Sequence, residues 1–274
     1  MPVRVTLPPT LGARLAASDR ALFGAWVCSG SALNAEILAG SGLDVVVIDA
    51  EHSPNDLHSI LAQLHAVSAY PVTTLVRPPI GDPVLLKQYL DLGVQNLVVP
   101  MVDSVEQAEA VVRAVRYPPH GVRGIGSALA RSARWSRIDG YLADASSTIS
   151  LFVQIESAVA LDAVEHIVAV DGVDGILVGP ADLAGSLGHL GQQDHAEVVE
   201  GVLRSIRAAN AVGKPAAVNA FAPAAADRYA EAGAALLVVG ADVTMLARAS
   251  EALAERYLGG SDAAGPGAQG RASY

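Results

Sequence analysis

The chain holds one cysteine, Cys28, in 274 residues. A single thiol cannot build an intrachain disulfide framework or a Cys-based zinc site. A reducing compartment is the natural setting. Lysine is nearly as scarce, with only Lys87 and Lys214 present. Aromatic residues make up 4%, so the core must be built from Ala, Val, Leu and Ile rather than from rings. No apolar run approaches the ~20 residues of a membrane helix. The longest are short pieces such as Val45–Val46–Val47–Ile48. The stretch from Met1 to Phe23 carries Arg4, Arg14, Asp19 and Arg20, with Pro8 and Pro9 between them, and lacks the unbroken apolar core of a signal peptide. These absences lead us to expect a soluble, cytoplasmic chain with no membrane partner. Lys plus Arg is 18 against 28 for Asp plus Glu, a formal charge of −10. An acidic chain is a poor general binder of phosphate backbones, so no nucleic-acid partner is expected.

Hydrophobic residues at 51% and charged residues at 17% exclude a disordered chain, a coiled coil and a collagen-like repeat. Eight short apolar runs alternate with helix-like segments: Gly24–Val27, Asp44–Asp49, Val72–Arg77, Asn96–Pro100, Ser150–Glu156, Asp174–Gly179, Pro215–Asn219 and Ala235–Gly240. Most are continuous Val/Ile/Leu, as parallel strands buried on both faces require. Between them, Asp82–Pro83 carries a helix-opening signature, and Ser104 with Gln107 a capping box. Eight such units predict an α/β fold of the (β/α)8, or TIM, barrel type. A doubly wound open sheet is the runner-up, disfavoured because no Gly-x-Gly-x-x-Gly follows an early strand. The expected partition is a lead-in helix over 1–22, a barrel over 23–258 and a flexible Gly/Ala/Ser-rich tail over 259–274. Residues 117–147 break the rhythm with Pro118, Pro119, Gly121, Gly124 and Gly126 and four arginines, Arg123, Arg131, Arg134 and Arg137. This segment reads as an insertion at a strand–helix junction, either functional or an oligomer contact.

In a barrel, chemistry is found where strands end. Strand two ends in Asp49–Ala50–Glu51–His52, strand three in Arg77, strand five in Gln154–Ile155–Glu156 and strand six in Gly179–Pro180–Ala181–Asp182. Charges directly after buried apolar runs are costly unless paired or bound to metal, and four strands ending this way point to one polar site. Asp182 alone would also serve as a helix cap. Glu156 and Asp182 come from adjacent strands with no soft ligand nearby, which favours a hard divalent cation with open positions. Arg77 supplies a fixed fork for a carboxylate or enolate oxygen. His52 can move a proton near neutral pH. Together they suit proton or carbon–carbon chemistry beside a carbonyl. Neither Lys87, inside a helix, nor Lys214, before strand seven, is placed to form an imine at the strand ends.

Other residues carry weaker signals. Trp26 is a pocket wall or core residue, and Cys28 a buried, inert thiol. Asp49 either orients His52 or Arg77 or is a buried salt-bridge partner. Asp91 either pairs with a histidine or is a surface carboxylate. His58 and His65 sit on a helix face, and His120, His166, His189 and His195 read as loop or surface residues.

At these residues the chain resembles the HpcH/HpaI aldolase family of the phosphoenolpyruvate/pyruvate barrel superfamily. The resemblance rests on segments 48–55, 76–78, 99–102, 116–119, 123–131, 153–156 and 179–183, in order, and runs from about Phe23 to Tyr257. Ala50, where relatives often carry glycine, is a minor departure. The resemblance implies a class II pyruvate aldolase, a carbon–carbon lyase using Mg²⁺, Mn²⁺ or Co²⁺. It would cleave a 4-hydroxy-2-oxo acid, such as 4-hydroxy-2-oxoheptanedioate, reversibly to pyruvate and an aldehyde through a metal-bound enolate. Succinic semialdehyde as the aldehyde would place it in aromatic catabolism. A 2-keto-3-deoxy sugar-acid aldolase and a silent 2-oxo-acid-binding protein are the alternatives. The resemblance also implies residue roles: Glu156 and Asp182 as metal ligands, Arg77 as pyruvate-binding, and His52 as catalytic, with Asp49 and Asp91 associated with it. Gln154 would lie beside the metal ligand, and Gly179, Pro180 and Ala181 would cradle the pyruvate carboxylate. Finally, it implies a homo-oligomer, a hexamer built as a trimer of dimers that exchange the last helix, 243–257.

Overall fold

In the computed structural model, residues 3–258 are described. Eight parallel strands close into a barrel in chain order: β1 (Leu22–Val27), β2 (Val45–Asp49), β3 (Thr73–Arg77), β4 (Asn96–Val99), β5 (Ser150–Ile155), β6 (Gly175–Val178), β7 (Ala216–Asn219) and β8 (Leu236–Ala241). The helices are α1 (Leu11–Ala16), α2 (Ala32–Ala39), α3 (Leu57–Val67), α4 (Pro83–Asp91), α5 (Val105–Val115), α6 (Tyr141–Asp144), α7 (Ala158–Asp162), α8 (Val164–Ala169), α9 (Pro180–Ser186), α10 (Ala196–Ala211), α11 (Pro223–Glu231) and α12 (Asp242–Leu258). This is the expected (β/α)8 fold. The open-sheet alternative fails because β1 pairs with both β2 and β8. The expected lead-in helix is helical only over Leu11–Ala16, and the tail over 259–274 lies outside the described residues.

The strand period of two sorts the core into two shells. Val46, Ile48, Val76, Leu97, Val99, Val153, Ile155, Val178 and Val218 point outward and pack under the helices. Val45, Val47, Leu75, Val98, Phe152, Leu177, Ala217, Leu236 and Val238 point inward and fill the barrel. α1 plugs the amino end of the barrel. Its Leu11 and Leu15 join the inner cluster, and the Leu11 and Gly12 amides donate to Asn96 Oδ1 at 2.6 Å and Ser150 Oγ at 3.1 Å. The inner layers therefore run from plug to apolar filling. At the carboxyl end the same parity continues into Trp26, Asp49, Arg77, Gln154 and Asn219.

Helix starts follow their caps. Asp82 Oδ1 accepts from the Val84 and Leu85 amides, with Pro83 at the first helical position. Ser104 caps α5, but its expected box partner Gln107 reaches one residue further, accepting from the Asp103 amide at 2.6 Å.

The Arg-rich insertion is placed differently from expectation. It follows α5 and precedes β5, so it is a helix-to-strand connection at the amino ends of the strands. There it forms a small cluster of its own around Tyr117, Ala133, Tyr141 and Ala145. Arg131 Nη1 donates to the Leu92 carbonyl at 2.8 Å, and Arg134 Nη1 to the Arg131 carbonyl. Part of its positive charge thus sits at the carbonyl-rich end of α4.

Candidate active site

The inward parity of β2, β3 and β5, carried past their apolar layers, places charged side chains where the barrel opens. Asp49 is 1% exposed and Arg77 7%. Asp49 Oδ1 accepts from Arg77 Nε at 2.8 Å, and Arg77 Nη1 lies 2.8 Å from Glu51 Oε2. The guanidinium also stacks on Trp26, 4.3 Å from the ring centroid. Trp26 is itself tied to β7 through Nε1 donating to Asn219 Oδ1 at 3.1 Å. Arg77 is thus clamped on three sides, and among the described residues its Nη2 makes no hydrogen bond. Trp26 serves both as pocket wall and as the platform under Arg77.

Asp49 also accepts from the backbone amides of Glu51 and His52, at 3.0 and 3.2 Å, which shapes the turn that carries both. Asp49 is thus the buried ion-pair partner of Arg77, and the His52 ring is not among its partners. His52 lies at the cavity mouth with its side chain 65% exposed and Nε2 3.7 Å from Glu51 Oε2.

Glu156 is buried, and both carboxylate oxygens are oriented. Oε1 accepts from the Met101 amide at 2.6 Å, and Oε2 from Gln154 Nε2. Met101 holds φ 55, the left-handed region that costs a non-glycine residue of order 1–3 kcal/mol, and so aims its amide at Glu156. A Cβ on Gly179 would stand 3.0 Å from Gln154 Nε2, so a side chain here would crowd the amide that orients Glu156. Asp182, exposed on the first turn of α9, faces the same cavity with Gly179, Pro180 and Ala181.

Electrostatics identify what this cluster wants. Three carboxylates, Asp49, Glu51 and Glu156, surround one guanidinium, and the charge of Asp182 acts on Glu51 and Glu156. Burial pushes the Glu156 carboxyl up to about 7; the Met101 amide pulls it down, and the charges of Glu51 and Asp182 push it further up. Glu51 is likewise raised, chiefly by burial against the pull of Arg77. Gln154 Oε1 and Glu51 Oε2 are buried without a hydrogen-bond partner. The 2.8 Å ion pair of Glu51 with Arg77 is close enough for charge but not aligned as a hydrogen bond. Excess negative charge, hard oxygen donors and orphaned oxygen atoms fit a divalent cation.

The cavity lined by Asp49, Arg77, Gln154 and Asp182 measures about 670 Å³. Beyond Arg77 and Asp182 it runs to Phe221 and Tyr229 on the β7 side and Thr244 on the β8 side. Cys28 opens onto it, and burial with neighbouring Asp49 and Asp242 pushes its thiol up to about 12, so it stays protonated and inert.

Asp91 is not brought to this cavity. It ends α4, at the amino end of the barrel, and pairs with buried Arg123 at 3.1 Å. The residues not singled out in advance are Glu51 and Met101. Glu51 shares the inward parity of Asp49, which was a usable signal. Met101 acts through its backbone, which leaves no trace in side-chain type.

Fold and site together define a (β/α)8 barrel enzyme with an acidic, arginine-clamped centre at the carboxyl ends of its strands. The HpcH/HpaI aldolase/citrate lyase family model matches residues 22–249, and the chain belongs to that family. It is 48% identical over 259 residues to a hydroxypyruvate/pyruvate aldolase of Deinococcus radiodurans, covering 94% of each chain. It is 44% identical over 250 residues to a 4-hydroxy-2-oxo-heptane-1,7-dioate aldolase of Shigella sonnei, covering 91% of this chain and 95% of the relative. An HpcH/HpaI aldolase/citrate lyase family protein from Burkholderia cenocepacia superposes with a TM-score of 0.85 at 40% identity, over 90% of this chain and 98% of that one. The chain is accordingly an aldolase, a carbon–carbon lyase.

Proposed function

We propose that the chain is a divalent-metal-dependent pyruvate aldolase that cleaves a 4-hydroxy-2-oxo acid to pyruvate and an aldehyde. 4-Hydroxy-2-oxoheptanedioate, with succinic semialdehyde as product, is the leading substrate, as the name of the 44%-identical relative suggests. The observation that carries the reading is the excess of oriented carboxylates beside a clamped arginine. Glu156 and Asp182 would hold the ion, with Mg²⁺, Mn²⁺ or Co²⁺ suiting these donors. When bound, it supplies a Lewis acid to the carbonyl of the 2-oxo acid.

The residues divide the remaining work. Arg77, fixed by Asp49, Glu51 and Trp26, stabilises negative charge as it grows on the 2-oxygen. Gln154 and Met101 keep Glu156 in register. The first-turn amides of Ala181 and Asp182, which have no intrahelical acceptor, suit the substrate carboxylate. His52 takes the 4-hydroxyl proton, directly or through one water. The C3–C4 bond breaks, C4 leaves as the aldehyde, and its electron pair passes into the enolate, which takes a proton at C3 to give pyruvate. No helix among the described residues is long and apolar enough to cross a membrane.

Lysine placement supports a mechanism without an imine. Lys214 Nζ donates to the Val168 and Val170 carbonyls at 2.7 and 2.9 Å, before β7, and Lys87 lies on α4 beside Gly124 of the insertion. Borohydride added with pyruvate should neither inactivate the protein nor raise its mass. Lys87→Arg with Lys214→Arg should leave cleavage largely unaltered, while chelation stops it and Mg²⁺, Mn²⁺ or Co²⁺ restores it. A trapped adduct on either lysine would refute the mechanism.

We also propose a homo-oligomer, a hexamer built as a trimer of dimers, in which the last helix packs on a neighbour. Among the residues of α12 only Asp242 is buried, and Leu246, Leu253 and Tyr257 are exposed. A pairing of Asp91 with a histidine would have to be made across such an interface, because its own chain's cavity is at the far end of the barrel. Leu246→Asp with Leu253→Asp should lower the mass measured by light scattering relative to the parent; an unchanged oligomer would rule this surface out.

A further inference from the structure

The loop between α9 and α10 carries two histidines that the aldolase site does not use. The loop stands at the carboxyl end of the barrel, where its Gly191, Gln193 and Asp194 line the cavity. His189 and His195 stack with ring centroids 3.5 Å apart and 20° between planes. His189 Nε2 lies 2.8 Å from Glu197 Oε2. His195 caps α10, its Nδ1 accepting from the Glu197 amide at 3.3 Å. One potential ligand atom from each of these three side chains lies within 4.8 Å of the other two, the single such trio of His, Cys, Asp or Glu among the described residues.

We propose that His189, His195 and Glu197 form a second metal site, one for a borderline transition ion such as Zn²⁺, Ni²⁺ or Co²⁺. Donor chemistry separates it from the barrel centre: two imidazoles and one carboxylate select ions that Mg²⁺ cannot match, whereas the all-oxygen centre accepts hard ions. Distances allow it. Tetrahedral Zn–N and Zn–O bonds of ~2.0–2.2 Å set donor atoms roughly 3.3–3.5 Å apart. His189 Nε2 and Glu197 Oε2 therefore separate by about half an ångström, and the ion replaces the proton they share, which passes to solvent. His195 keeps its cap through Nδ1 and offers Nε2. Parallel rings do not aim their lone pairs at one point, so His189, which caps nothing, turns out of the stack on binding. Three protein donors leave a fourth position to water.

The site clasps the loop. Its ligands bracket residues 190–194, so the ion fixes the cavity wall formed by Gly191, Gln193 and Asp194. The full-length protein, titrated with Co²⁺ in excess Mg²⁺, should develop the intense visible absorption of a four-coordinate, nitrogen-ligated ion, a band that Co²⁺ entering the all-oxygen centre does not give. Zn²⁺ should bleach that absorption by displacement. His189→Ala, Glu197→Gln and the cap-preserving His195→Asn should each weaken Co²⁺ binding by about tenfold or more. Their Mg²⁺-supported pyruvate release should persist, which separates this site from the aldolase centre. No such absorption, or absorption that survives all three substitutions, would overturn the proposal and leave a loop clasp made of hydrogen bonds alone.

Discussion

Glu156→Gln and Asp182→Asn should each bind divalent metal at least ~100-fold more weakly than the parent and lose nearly all cleavage, with the barrel still folded. Partners that merely orient a ligand typically cost about 10–100-fold in affinity when removed, and loss of a ligand should exceed that. Folding should tolerate the Glu156 change because it removes a buried charge from an acidic cluster. In the absence of metal, burial and the neighbouring carboxylates already hold Glu156 near 7, so an amide relieves repulsion there. Calorimetric titration with Mn²⁺ reads the affinity, and circular dichroism the fold. Undiminished Mn²⁺ affinity in either variant would remove that residue from the ion.

Arg77→Ala should abolish enolisation of pyruvate, followed as exchange of its methyl protons with deuterated water. Charge grows on the 2-oxygen beside the guanidinium, and loss of one oriented donor costs about 10²–10³ in rate. The change also strands Asp49, 1% exposed and deprived of its Nε partner, and unpaired buried charges cost about 3–5 kcal/mol. Thermal denaturation should therefore report a lower midpoint for Arg77→Ala than for His52→Ala, whose exposed ring holds nothing together. His52→Ala should slow cleavage of the 4-hydroxy acid more than it slows methyl exchange. Equal losses in the two assays would move His52, or a water it controls, to the methyl proton.

Much of this architecture was legible before the structure. All eight strands were placed within about two residues, because continuous Val/Ile/Leu runs have few other folded states. The strand-end placement of Arg77, Glu156 and Asp182 was legible for a related reason, since charge at the end of a buried run demands a partner. Parity was the signal left unused. Counting inward from Val45 by twos reaches Val47, Asp49 and Glu51, which puts Glu51 against Arg77. Met101 could not be read, because its contribution is an amide aimed by a left-handed backbone. The Arg-rich insertion was assigned to a strand–helix junction because composition carries no direction along the barrel axis; its position after α5 sets it at the amino ends. Asp91 shares that address, and within this chain its partner is Arg123 rather than a histidine.

The central claim, metal-dependent release of pyruvate from a 4-hydroxy-2-oxo acid, is tested most directly by a lactate-dehydrogenase-coupled assay across a panel of such acids, with and without divalent metal. The panel includes 4-hydroxy-2-oxoheptanedioate and 2-keto-3-deoxy sugar acids. The account predicts pyruvate from at least one acid, stopped by chelation and restored by Mg²⁺, Mn²⁺ or Co²⁺. Pyruvate release that persists after thorough chelation, or none from any acid with metal present, would contradict it.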